Sequence, residues 1–131
     1  MSDSPYKDGA KMLKSHIEIK KNPTGNYYFI FKNRHHFVAV SKSFETRIHL
    51  DEHLSFFKQH AKAAHVYEGD SNGDFPVFQV ISIGANNYRF QFLSDKTLPI
   101  LQSDLFTNRK QCLKFLNELK EQIEEAHILD L

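Results

Sequence analysis

The chain has 131 residues, 40% of them hydrophobic and 25% charged, with a formal net charge of +1. That length suits one domain with a real core, and the near-neutral balance speaks against a dedicated nucleic-acid binder or a polybasic membrane anchor. No apolar run of about 18 residues is present, so no membrane partner is expected; Met1–Ser15 lacks the apolar stretch of a secretory signal, and Cys112 has no second cysteine to pair with, which makes a reducing, cytoplasmic setting the expectation.

In chain order, residues 1–15 are expected to form a polar, flexible tail. Ile17-Glu18-Ile19-Lys20 alternates with period two, as a half-buried strand does. Asn22-Pro23-Thr24-Gly25-Asn26 is a turn. Tyr27, Phe29 and Phe31 then share one face of a second strand, and the polar turn Asn33-Arg34-His35-His36 leads into a third at Phe37–Ser41. Thr46 is placed to cap a helix, because its hydroxyl can accept from a free amide of the first turn. Leu50, Leu54, Phe57 and Ala61 follow at helical spacing, and His65-Val66-Tyr67 is a short fourth strand. After a turn-rich linker, the order recurs. Phe78 and Val80 lie on a strand, Tyr88, Phe90 and Phe92 on the next, and Leu98–Ser103 on a third. Asn108 caps a helix with the stripe Cys112, Leu116, Leu119 and Ile123, and His127–Leu131 closes the chain as a strand.

The recurrence is visible in the letters. Asn26-Tyr27-Tyr28-Phe29-Ile30-Phe31 matches Asn87-Tyr88-Arg89-Phe90-Gln91-Phe92 at an offset of 61, and Ser41-Lys42-Ser43-Phe44 matches Ser103-Asp104-Leu105-Phe106 at 62. Ala64-His65-Val66 matches Ala126-His127-Ile128, also at 62. The expected organisation is a single domain over 16–131, with repeat 1 at 16–67, a linker at 68–76 and repeat 2 at 77–131. At roughly 55 residues neither repeat should be stable alone, so both should share one core.

These blocks resemble the YegP-like family, a small bacterial family of tandem repeats with no established function. Gly25, Tyr27, Phe29, Ser41, Phe44 and Thr46 fit its pattern in the first repeat, and Tyr88, Arg89, Phe90, Ser103, Phe106 and Asn108 in the second. The chain departs where the family usually has Asn-Gly, with His35-His36 and Lys96-Thr97, and Asn86 stands where Gly is usual. The resemblance implies an α+β fold of two tandem β-β-β-α-β units. They would form one antiparallel sheet with two helices packed on one face and their last strands exchanged, making a fused pseudo-dimer. It implies no catalytic residues.

Candidate chemistry is sparse. His49, His53 and His60 fall within about 40° on a helical wheel, and a pair such as His49 and His53, four residues apart, can ligate one metal. The general-base Glu of a metalloprotease is missing, and a polar helix flank explains the same pattern. His35-His36 reads as a solvated turn, or as a pH-responsive one. Cys112 stands where the first repeat has Leu50 and is expected in the core. Tyr28, Ile30, Arg89 and Gln91 alternate with the core set and should face away from the helices, where Tyr and Arg could hold a base or a peptide or simply pair across strands. Glu118, Glu121, Glu124 and Glu125 read as a solvated helix face. No phosphate-binding glycine loop or nucleophile motif is present. The expectation is therefore a non-catalytic binding or protein-interaction module, monomeric, with a protein or peptide partner, no nucleic acid and no cofactor. The alternative is a metal-dependent factor or enzyme using the first-helix histidines.

Overall fold

Local turn chemistry starts the fold of this computed structural model, which describes residues 15–34, 36–69 and 74–130. The alternating run forms β1 (Ser15–Lys21). The Asn22 side-chain oxygen then accepts from the backbone N–H groups of Thr24 and Asn26 at 3.1 and 2.9 Å. Gly25 sits at φ +89°, a conformation that a side chain would strain. The chain returns as β2 (Tyr27–Asn33) and β3 (His36–Ser41), an antiparallel meander with a register shift between Phe31 and Lys32. Thr46 Oγ1 accepts from the His49 N–H at 3.1 Å and opens α1 (Arg47–His60), which buries Leu50, Leu54 and Phe57. β4 (His65–Glu68) follows.

The second half repeats the plan with β5 (Val77–Ser82), β6 (Tyr88–Leu93) and β7 (Leu101–Ser103). Asn108 Oδ1 accepts from the Gln111 N–H at 2.7 Å and caps α2 (Arg109–Gln122). A short 3-10 turn (Ile123–Glu125) leads into β8 (His127–Asp130). Strand β7 is shorter than the sequence suggests. Thr97 is bound to the Asp95 carboxylate through its N–H at 2.8 Å, and Leu98 is 68% exposed, so extended pairing begins only at Leu101.

The eight strands form one sheet in the order β4-β5-β6-β7-β3-β2-β1-β8. The sheet is mixed, which corrects the expectation of an antiparallel one. β4 runs parallel to β5, with His65 opposite Val77, and β8 runs parallel to β1, with Ile17 opposite Ile128. A tight hairpin forces antiparallel pairing, but a strand that arrives after a helix is free to run either way. Each edge strand thus follows the helix of one half and pairs with the first strand of the other.

Both helices share a single core with the sheet. Phe57 of α1 lies 6.1 Å from Phe29, 6.4 Å from Phe78 and 5.0 Å from Phe92, ring centre to ring centre. One helix residue therefore packs on strands from both halves. Burying such a side chain stabilises by about 1.5–3 kcal/mol, and here the gain is shared across the whole chain.

Several contacts recur at matching positions. The Phe29 N–H donates to Ser41 Oγ at 2.9 Å, and the Phe90 N–H to Ser103 Oγ at 2.9 Å. Tyr27 bridges to Phe44, and Tyr88 to Phe106. Lys58 Nζ donates to the Ala126 carbonyl at 3.1 Å, and Lys120 Nζ to that of Ala64 at 2.5 Å. Arg47 pairs with Asp130 at 2.7 Å, and Arg109 with Glu68. The last two pairs tie the start of each helix to the edge strand that follows the other.

Candidate functional site

Tyr28, Ile30, Arg89 and Gln91 lie on the sheet face away from the core, as their alternation with Phe29, Phe31, Phe90 and Phe92 requires. Three of the four are engaged within the fold. Ile30 is only 9% exposed. Arg89 Nε donates to the Ser103 carbonyl at 3.2 Å. Gln91 sits in an amide ladder, donating to Gln79 at 2.7 Å and accepting from Gln102 at 3.3 Å, while Gln79 donates to the Gly69 carbonyl at 2.6 Å. Tyr28 is half-buried beside Lys20 in the β1–β2 ladder.

The same face carries a charge cluster that the sequence reading passed over. Glu18 is 8% exposed. Its carboxylate meets His16 Nε2 at 2.8 Å, Lys32 Nζ at 3.3 Å and Lys20 Nζ at 3.6 Å. Burial alone would raise its pKa, but the bonds from His16 and Lys32, with the charges of Lys32 and Lys20, outweigh it and hold the carboxyl below its usual value. The alternation of β1 puts His16, Glu18 and Lys20 on one face, so the signal was present in the pattern. What the pattern lacked was Lys32, brought over by the β2 register.

The first-helix histidines are not gathered into a metal centre. His53 Nδ1 donates to the His49 carbonyl at 2.9 Å, and its ring lies 4.8 Å from that of Phe44. The His60 ring lies tilted beside that of Phe56, 4.4 Å between centres, and His49 is exposed. Among the described residues no group of three or more His, Cys, Asp or Glu side chains is arranged to hold a metal ion. His36 is exposed, and His35 lies outside the described residues, as do residues 1–14 of the expected tail. Cys112 is fully buried, and burial pushes its thiol up to about 11. A reactive cysteine needs the opposite shift.

Two clefts lie where a helix meets the hairpin end of the other half. The first, about 270 Å³, is lined by Glu52, His53 and Phe56 of α1 and by Ser94 and Ile100. The second, about 340 Å³, lies between the β2–β3 turn and α2. Asn33, Arg34 and His36 line it from the turn. Lys114, Phe115, Glu118, Glu121 and Gln122 line it from the helix, at spacings that put them beside the buried stripe Cys112, Leu116 and Leu119.

Seven of the eight residues that line the second cleft are polar or charged. Asn33, only 6% exposed, donates through Nδ2 to Glu118 Oε1 at 2.5 Å. That bond leaves Asn33 Oδ1 as the unused end of the amide, and it is buried without a hydrogen-bond partner among the described residues, as is Gln122 Oε1. An unpaired buried polar group costs about 1–3 kcal/mol, so two at one cleft wall call for an explanation. Arg34 is held at φ +55°, a left-handed conformation uncommon for a residue with a side chain. Such an outlier is often kept because the side chain is needed where it stands. Lys114 Nζ lies 5.9 Å from the Phe115 ring centre. The expectation of a solvated acidic face is therefore corrected at Glu118, which is half-buried and bonded to β2. The sequence held no signal for this pairing, because Asn33 and Glu118 are 85 residues apart.

No protein-family model matches the sequence, and no curated protein sequence matches it. Two solved structures share its fold. The solution NMR structure of a UPF0339 protein from Shewanella oneidensis aligns with a TM-score of 0.74 at 10% identity, covering 90% of this chain and 92% of that one. The solution NMR structure of YegP from E. coli, described as a protein of unknown function, aligns with a TM-score of 0.67 at 11% identity, covering 89% and 92%. At such identities the likeness is one of fold.

Proposed function

We propose that this chain, which has the YegP-like fold, is a non-catalytic binding module whose ligand seat is the polar cleft between the β2–β3 turn and α2. One observation carries the reading: two residues that line the cleft, Asn33 and Gln122, hold buried amide oxygens that no donor among the described residues satisfies. A small shift of either amide side chain would open its oxygen to a donor on a ligand, and the bond so gained would remove the cost of the unpaired group. Binding rather than catalysis is favoured by the placement of the chain's one thiol, which is enclosed in the core and raised away from reactivity. The same thiol suits a cytoplasmic setting, and a protein or peptide is the expected partner class.

The reading includes a fused pseudo-dimer of two tandem units that exchange their last strands, so that the chain acts as a monomer. Its support is the set of contacts that recur 61 or 62 residues apart, from the Ser41 and Ser103 hydroxyl bonds to the Lys58 and Lys120 clamps. A competing reading, the metal-dependent factor, draws on the first cleft, where His53 Nε2 has no partner among the described residues and stands with Glu52. A zinc titration followed on the His49 and His53 ring signals decides it, and no shift at micromolar metal removes it.

A fragment mixture titrated against the ¹⁵N-labelled protein tests the cleft. Amide shifts should gather at Asn33, Arg34 and Lys114 to Gln122. Shifts confined to the sheet face at Tyr28, Ile30, Arg89 and Gln91 would return the function to that face and sink the cleft reading.

A further inference from the structure

We infer that the polar cleft takes a di- or tripeptide with both termini free, a ligand with an ammonium group at one end and a carboxylate at the other. This rests on the reading of the cleft as the ligand seat. The walls supply both halves of the recognition. Asn33 Oδ1 and Gln122 Oε1 are buried acceptors without a donor among the described residues, and Glu121 adds a carboxylate beside Gln122. Arg34 and Lys114 add cations. Among the described residues none of Arg34, Lys114 and Glu121 has an opposite charge within 4.0 Å. The cleft therefore presents both signs of charge without cancelling them.

The separation is built into the helix. Lys114 and Glu121 are seven residues apart on α2, which is about 10 Å at 1.5 Å per residue. Glu118 lies between them and could shield Lys114, but Lys before Glu is the weaker order for such a pair, and the Glu118 carboxylate already accepts from Asn33. An extended peptide covers about 3.3–3.6 Å per residue, so two or three residues bridge the two charged ends. Its ammonium would meet Glu121, Gln122 and Asn33, and its carboxylate Lys114 and Arg34. Phe115 gives the cleft an apolar wall for the peptide's own side chains. The cleft volume of about 340 Å³ sits at the small end of ligand pockets, about 300–1,000 Å³.

The probes are Ala-Ala and Ala-Ala-Ala, each free, N-acetylated or C-amidated, titrated against the ¹⁵N-labelled protein. Free peptides should shift the amides of Asn33, Arg34, Lys114 and Gln122 with saturation, and either cap should weaken binding by about tenfold or more, the size of one charge-assisted contact. Gln122→Leu should weaken the free peptides yet leave the acetylated ones unchanged, whereas a merely structural role would affect both alike. An unchanged spectrum outside the cleft confirms that the variant folds. Equal binding of free and capped peptides would overturn the inference, as would binding sensitive to one cap alone. If fragments still mark the cleft while no peptide does, the ligand class is wrong and the seat stands; if neither marks it, the seat itself is wrong.

Discussion

The two clefts occupy matching positions, one beside each helix, and their walls differ in chemistry. Glu52, His53 and Phe56 stand 62 residues before Lys114, Phe115 and Glu118, and Asn33 stands 61 before Ser94. Beneath these walls, the stripe positions also match. Leu50, Leu54, Phe57 and Ala61 correspond to Cys112, Leu116, Leu119 and Ile123, and all eight are buried. The buried positions kept their apolar character because close packing penalises every change of volume or polarity. The wall positions, partly in water, were free to change chemistry at little cost to the core. Function should therefore be sought in the wall that carries unsatisfied groups.

The largest effect expected is one of protection. Cys112 takes the place of Leu50 in the core, so a thiol reagent should label it only through unfolding, about a thousandfold or more slower than an exposed thiol. The comparator is Cys112→Ala combined with Ile48→Cys, since Ile48 is 70% exposed. Fast labelling of native Cys112 would break the correspondence between the stripes. Next, Leu54→Ala and Leu116→Ala should each cost about 2–5 kcal/mol in urea unfolding. A cost below about 1 kcal/mol at one of them would mean that the two stripes are not equivalent.

The open sheet face differs between the halves in the same manner. Glu18 of β1 stands where β5 has Gln79, so one half carries an ion cluster and the other an amide ladder. Because the Glu18 carboxyl is held below its usual value, it contributes stability above the unfolded pKa, and that contribution is lost as the pH falls through the folded one. Glu18→Gln should lower stability at pH 7 by about 1–3 kcal/mol, with the gap closing toward pH 3. Denaturation curves at the two pH values check this, and a gap that widens in acid would show that the cluster does not stabilise. The smallest effect concerns Arg34. Glycine relieves a left-handed residue of about 1–2 kcal/mol but gives back part of it in chain entropy. Arg34→Gly should raise stability by up to about 1 kcal/mol while weakening the cleft's hold on a carboxylate. Lower stability would mean that the Arg34 side chain holds the fold rather than a ligand.

Much of the fold could be read from residue patterns. Period two named the buried faces of β1, β2 and β6, and the helical spacing named both stripes, because burial is decided locally by which way a side chain points. Thr46 and Asn108 were legible as caps for the same reason. The parallel edges were not, since the rule that ties a hairpin to its direction does not reach across a helix. The face of Ile30 and Gln91 was named correctly, but its depth was not: Ile30 is buried and Gln91 is bonded to two neighbours, which depends on partners in other strands. The polar cleft lay furthest from view. It is made by one long-range pair, Asn33 with Glu118, and the sequence presents those as a turn residue and one more acid on a helix.

The most direct measurement is a single ¹⁵N–¹H titration with Ala-Ala that reads both clefts at once. The account predicts saturating shifts at Asn33, Lys114 and Gln122, with Glu52, His53 and Ser94 unmoved. Shifts at the first cleft with the second silent, or equal shifts at both, would contradict it.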